Sequence, residues 1–165
     1  MENVLEKDYY VYVEKGKYAP KEGFDIVRRE NVALIIHYND QYLFLSWNEV
    51  DYQNSLVTGG IDEGESREDA AFREIIEETG YYDIKDIVLV DAINISKFFV
   101  EHKGENREAI YYPYLITLNS LNMNPIAEEE KREHTSIWVS KDELESVDLF
   151  ENHKYMLEKA ILEIK

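Results

Sequence analysis

Gly59-Gly60-Ile61-Asp62-Glu63-Gly64-Glu65-Ser66-Arg67-Glu68-Asp69-Ala70-Ala71-Phe72-Arg73-Glu74-Ile75-Ile76-Glu77-Glu78-Thr79-Gly80-Tyr81 is the stretch on which the fold turns. Ser66 with Asp69 three residues on comes close to a capping box, and Gly80 stands where a helix closes, so the spacing predicts a helix over residues 66–79. On it Glu74, Glu77 and Glu78 fall at i, i+3 and i+4, which at ~3.6 residues per turn puts three carboxylates on one face. Phe72, Ile75 and Ile76 are expected to pack into a sheet from the other side, with Ala70 and Ala71 keeping the acidic face free of bulk. Like charges so close cost a few tenths of a kcal/mol per pair unless a cation intervenes, and clustered hard oxygens are what Mg²⁺ or Mn²⁺ requires. Taken alone, a Glu-x-x-Glu-Glu triplet reads more simply as a solvated helix face.

Working outward, residues 32–38, the pair Asn39-Asp40 and residues 41–47 read as a hairpin of two strands. After the helix come strand-like segments at residues 87–90, 92–100 and 110–118, with a charged loop over 101–107. Pro113 inside the last of these predicts an edge strand or a bulge. A long polar loop is expected over residues 119–134, then a strand at 135–139, a capping-box spacing from Ser140, and an amphipathic helix over 152–164. Residues 1–27, with a strand-like run at 9–13, read as an extension to a domain of residues 28–165. The order of elements predicts one α/β domain in which a sheet is sandwiched by helices.

The 165 residues carry 18 Lys and Arg against 35 Asp and Glu, a net charge of −17 that repels nucleic acids and anionic membrane surfaces alike. A polyanionic substrate would need a cation, or a local cluster of Arg and Lys, to enter such a field. With no Cys, disulfides, thiolate metal sites and cysteine nucleophiles are excluded. The amino-terminal residues lack the basic start and apolar run of a signal peptide, and a cytoplasmic location is the expectation.

From Gly59 the chain reads Gly59, five residues, Glu65, seven residues, Arg73-Glu74-Ile75, one residue, Glu77-Glu78, one residue, Gly80-Tyr81. This resembles the Nudix hydrolase signature, G-x5-E-x7-R-E-U-x-E-E-x-G-U with U a bulky aliphatic residue. Seven fixed positions at about 7% usage each match by chance about once in 10⁶ chains of this length, so coincidence is set aside. Tyr81 stands where an aliphatic residue is usual, and Val57-Thr58 where Pro-Gly is common. Residues 133–144 look like the family's late strand and the turn after it. The resemblance spans about residues 28–150 and implies a mixed β-sheet between helices, with the motif as a loop-helix-loop.

The resemblance also implies roles. Glu77 and Glu78 would be the principal ligands of Mg²⁺ or Mn²⁺, Glu74 would complete the site or hold the attacking water, and Thr58 would offer its backbone carbonyl. Arg73 would brace the helix by pairing with Glu65, and Gly59, Gly60 and Gly80 would serve the turns. Glu133 is the first choice for a further glutamate from the late loop, ahead of Glu128, Glu129 and Glu130. Trp47, Tyr52, Phe98, Phe99 and Tyr112 are candidates to stack on a base, and Arg28, Arg29, Lys97 and Arg107 to hold phosphates; each taken singly reads as packing or as a surface cation. The four histidines, His37, His102, His134 and His153, show no ligand spacing and are read as bystanders.

The implied reaction is metal-dependent hydrolysis of a phosphoanhydride in a nucleoside diphosphate linked to another moiety. The proline of many ADP-ribose pyrophosphatases is absent, since Ser96, Lys97, Phe98 and Phe99 fill that region. Phe98 or Phe99 likewise stands where many dinucleoside polyphosphate hydrolases carry tyrosine, so no subfamily marker is present, and on these absences and the supply of aromatics a nucleoside tri- or polyphosphate is preferred to ADP-ribose or a nucleotide sugar. The alternative of another class is a nucleotide-binding sensor, which commonly loses motif carboxylates that this chain keeps. Monomer and homodimer are both left open.

Overall fold

The structure, a computed structural model, describes residues 8–48 and 54–164. In chain order the elements are β1 (Asp8–Val13), β2 (Ile26–Tyr38), β3 (Gln41–Trp47), β4 (Val57–Gly60), α1 (Arg67–Thr79), β5 (Ile84–Leu89), β6 (Ala92–Val100), β7 (Glu105–Leu118), α2 (Glu128–Glu133), β8 (His134–Ser140) and α3 (Glu151–Glu163). The described strands form one mixed sheet in the order β1-β6-β7-β2-β3-β8. β2 and β7 run parallel at its centre from Ile26↔Asn106 to His37↔Thr117. One edge of β2 is shared by β4, opposite residues 31–34, and by β3, opposite 36–38. β3 turns back through Asn39-Asp40, with Asn39 at φ 52°, a left-handed conformation that Asn tolerates. The amino-terminal strand β1 lies parallel to β6 at the far edge.

Residues 32–36 of β2 are an unbroken apolar run because both faces of the sheet are covered. Side chains alternate with period two, so Ala33, Ile35, Tyr42 and Phe44 meet Met156, Leu157 and Ala160 of α3 on one face. On the other, Val32, Leu34, Ile36, Leu43 and Leu45 meet Ala70, Ala71 and Ile75 of α1. The expected sandwich of a sheet between helices is therefore the observed architecture. No described helix is long and apolar enough to cross a membrane.

Several local expectations are corrected. Phe72 is 43% exposed, while Ala70 and Ala71 are fully buried: the small residues let α1 approach the sheet closely, and the large one faces away. Pro113 lies in the central strand β7, not at an edge or bulge. Its carbonyl accepts from Val90 N–H (2.9 Å) at the gap between the end of β5 and the start of β6, so the missing N–H costs no bond to β2. The charged loop is only a tight turn closed by Gly104, and the polar stretch 119–134 contains α2. Ser140 makes no side-chain cap; a 3-10 turn over Lys141–Ser146 follows it.

His153 ties α3 to the start of the site. Its ring is buried, and Nδ1 accepts the Leu56 backbone N–H at 3.1 Å just before β4. Burial holds its pKa down at about 4 instead of 6.5. The folded protein thus keeps this imidazole neutral while the unfolded chain takes up a proton, so its contribution is complete above pH 6.5 and is lost as pH falls toward 4. His153→Asn keeps an acceptor near the Nδ1 position and does not titrate. Urea unfolding should show the stability advantage of wild type over the variant shrinking by about 2–3 kcal/mol between pH 7.5 and 4.5; a constant difference would contradict this.

Candidate active site

The site is built on α1 and the strand that feeds it. Ser66 Oγ accepts the Asp69 N–H (3.1 Å) at the helix start, and Gly80, at φ 80°, ends it. A side chain at Gly80 would also meet the Asn124 carbonyl oxygen at 2.4 Å. Gly59 is demanded by close approach: a Cβ there would lie 1.9 Å from Glu74 Cδ, because the Glu74 carboxyl rests on the β4 backbone. Glu74 is accordingly buried although it belongs to the acidic face.

Arg73 makes that burial tolerable. Its Nε and one terminal nitrogen grip the two oxygens of Glu65, each at 2.8 Å, and that nitrogen also reaches the Gly60 carbonyl at 2.8 Å. The other terminal nitrogen donates to Glu74 at 2.6 Å and to Glu77 at 3.3 Å. Planar forked donors suit this task as a lysine could not. Arg73 holds the Glu65 pKa down at about 2, while burial raises that of Glu74 against the pull of the same guanidinium.

At the last turn of α1 the partners change. Glu78 Oε2 lies 2.6 Å from His134 Nε2, and Glu130 Oε2 lies 3.2 Å from the same nitrogen. The carboxylate of Glu78 raises the pKa of His134, and burial beside Glu78 raises that of Glu130. Among the described residues, the ligand atoms of Glu78, Glu130 and His134 lie within 4.8 Å of one another, which brings two carboxylates from different helices to one point. A cavity of about 300 Å³ opens beside them, walled by Tyr81, Met123, Ile126 and Lys131.

The other candidates are distributed unevenly. Thr58 is half-buried in β4 opposite Ala33, and Glu77 is 54% exposed beside Arg73. Trp47 reaches the cluster, its ring edge-on to His134 at 5.1 Å and its indole N–H on Ser55 Oγ at 2.8 Å. Glu133, one turn after Glu130, is exposed. Tyr112 donates to Glu30 at 2.9 Å beneath the Arg67 guanidinium, 3.6 Å above its ring.

Phe98 and Phe99 are not brought to the carboxylates. Phe99 lies opposite Asn106, whose β2 partner Ile26 is five residues before Asn31, the partner of Gly60, or about 16 Å along the strand. They border a separate cavity with Tyr18 and Phe150. Arg28 pairs with Glu108 at 3.3 Å, Arg107 with Glu105, and Lys97 with Glu108 at 4.0 Å. Tyr52 lies outside the described residues. By sequence Glu130 ranks behind Glu133 and His134 reads as a bystander; their i, i+4 spacing just before a strand is the signal that could have paired them.

The NUDIX domain family model matches residues 27–160, most of the chain, and the chain therefore belongs to the Nudix family. Pyrophosphohydrolysis of nucleoside diphosphate-linked compounds is the activity this class carries. Among solved structures, the fold resembles the NUDIX domain of Shewanella oneidensis NrtR complexed with ADP ribose, with TM-score 0.65 and 14% identity over 84% of this chain and 90% of that one. It also resembles a MutT protein from Bacillus halodurans, with TM-score 0.63 and 23% identity over 79% and 80% of the two chains. A C. elegans Ap4A hydrolase matches with TM-score 0.57 and 18% identity over 81% and 96%. No curated protein sequence matches.

The two glycines of β4 should respond oppositely to a methyl group. Gly59→Ala must displace the Glu74 carboxyl and should cost about 1–3 kcal/mol. Gly60→Ala meets nothing nearer than Asn31 Oδ1 at 3.9 Å and should be neutral or slightly stabilising. Thermal unfolding of both variants checks this; equal effects would contradict the packing of Glu74 on Gly59.

Proposed function

We propose that the chain is a divalent-metal-dependent hydrolase that cleaves a phosphoanhydride bond of a nucleoside tri- or polyphosphate. The observation that carries this reading is the division of carboxylates around α1. Glu65 and Glu74 are held by Arg73, whereas Glu78 turns the other way to share one imidazole nitrogen with Glu130. When bound there, Mg²⁺ or Mn²⁺ supplies neutralisation of phosphate charge and acidification of water.

In this reading Glu77 and Glu78 are the principal ligands, the Thr58 carbonyl is a further one, and Glu74 completes the site or holds the attacking water. Arg73 and Glu65 keep α1 and the Gly59-Gly60 backbone in register with one another. Glu130 takes the part first expected of Glu133, because it approaches the helix while Glu133 points to solvent. Trp47 is the aromatic suited to stack on a base near this cluster. The reading is of a cytoplasmic monomer or homodimer of residues 28–165 with an extension of residues 1–27, needing neither nucleic acid nor membrane.

The absent ADP-ribose proline and the strongly acidic chain favour a substrate that arrives as a polyphosphate already carrying a divalent cation. Retention of Glu65, Arg73, Glu74, Glu77 and Glu78 favours turnover over mere sensing.

Glu78→Gln keeps size and helix propensity and removes one ligand charge. It should lower kcat by orders of magnitude while the helix, and with it the fold, survives. EDTA should abolish wild-type turnover, and Mg²⁺ or Mn²⁺ should restore it. Near-full activity of the variant, or activity after exhaustive chelation, would overturn the assignment. Comparison of kcat/KM for nucleoside triphosphates, diadenosine polyphosphates and ADP-ribose should favour the first two, and a clear ADP-ribose preference would reverse the substrate ranking.

A further inference from the structure

His134 opens β8 directly opposite Trp47, the last residue of β3. Its side chain is 3% exposed, and the ring is held edge-on against Trp47, with an interplanar angle of 71°. Trp47 is anchored in turn through its indole N–H to Ser55. The imidazole therefore has little freedom to turn. Its Nε2 faces one oxygen of Glu78 at 2.6 Å and one of Glu130 at 3.2 Å. An ionised carboxylate only accepts hydrogen bonds, so the nitrogen between the two must donate, and a nitrogen carrying its proton has no lone pair for a cation.

We propose that His134 is a positioning residue, whose Nε2–H draws the Glu78 and Glu130 carboxylates together and orients them for a divalent cation without ligating it. Glu78 comes from the last turn of α1 and Glu130 from α2, and both carry the same charge. Apart from a cation, a shared donor is what holds two such groups around one point. Each carboxylate has about four lone-pair directions, so accepting one bond from His134 leaves it free to ligate. Buried donors of this kind fix ligand geometry before the cation arrives. The inference rests on the metal-dependent reading above, which does not itself require a histidine.

The test is Mn²⁺ binding to the full chain, followed by electron paramagnetic resonance of the free ion. His134→Leu fills the space but removes the donor, and should raise the Mn²⁺ dissociation constant roughly 10- to 100-fold. His134→Gln places an amide N–H near the Nε2 position and should restore affinity to within a few-fold of wild type. An unchanged constant for His134→Leu, or equal damage from both substitutions, overturns the positioning role. Glu78→Gln distinguishes the two levels. If it binds Mn²⁺ as tightly as wild type, the metal reading itself fails; if it weakens binding while His134→Leu does not, only the role of His134 fails. A measurement on the wild-type protein needs no variant to fold. Long-range ¹H–¹⁵N spectra should show His134 Nε2 protonated both before and after Mg²⁺ is added, and loss of that proton on Mg²⁺ binding would make His134 a direct ligand and overturn the proposal.

Discussion

Arg73 is the constraint on which the rest depends. One guanidinium, 28% exposed, serves Glu65, Glu74, Glu77 and the Gly60 carbonyl, in a corner where Asp62 is also within 3.7 Å. Without it, Glu74 would be a buried charge with no partner, a situation that costs several kcal/mol in a protein interior. Because the same fork holds the β4 carbonyl and two helix carboxylates, strand and helix cannot slide past each other. The orientation of Glu77 and Glu78 follows from that lock, since the helix phase that buries Glu74 against Gly59 sends the next turn toward β8.

The sheet supplies the second half of the geometry. β2 carries β4 along its middle and β3 along its end, so the motif glycines and the β3–β8 pair are brought in along adjoining stretches of a single strand edge. β8 then delivers His134 opposite Trp47, and α2, immediately before it, delivers Glu130. The buried His153, bonded to Leu56 N–H, fixes from the α3 side the point at which the chain enters β4. Both helices therefore act on the same short strand from opposite faces of the sheet.

What was legible in the sequence was local. The hairpin through Asn39-Asp40, the helix capped by Ser66 and Gly80, and the contact between Arg73 and Glu65 all depend on residues within a few turns of one another. What was not legible depended on strand order. Pro113 reads as an edge signal until it is known that β6 gives way to β5 beside it. Phe72 and the two alanines exchange faces because close packing of α1 selects small residues, which hydrophobicity alone does not reveal. Phe98 and Phe99 suggest stacking surfaces by composition, yet the β6–β7 register carries them away from the carboxylates. His134 and Glu78 are 56 residues apart, and nothing in the spacing of either announces the other.

The central claim is that cations gather where the last turn of α1 meets α2 and the start of β8. Paramagnetic broadening of backbone amides by substoichiometric Mn²⁺ in the ¹⁵N-labelled protein tests it most directly. The account predicts that signals of Glu77, Glu78, Glu130 and His134 vanish first, while those of Phe98, Phe99 and Val100 survive. Broadening centred on the Phe98 end of the sheet, or spread evenly over the acidic surface, would contradict it.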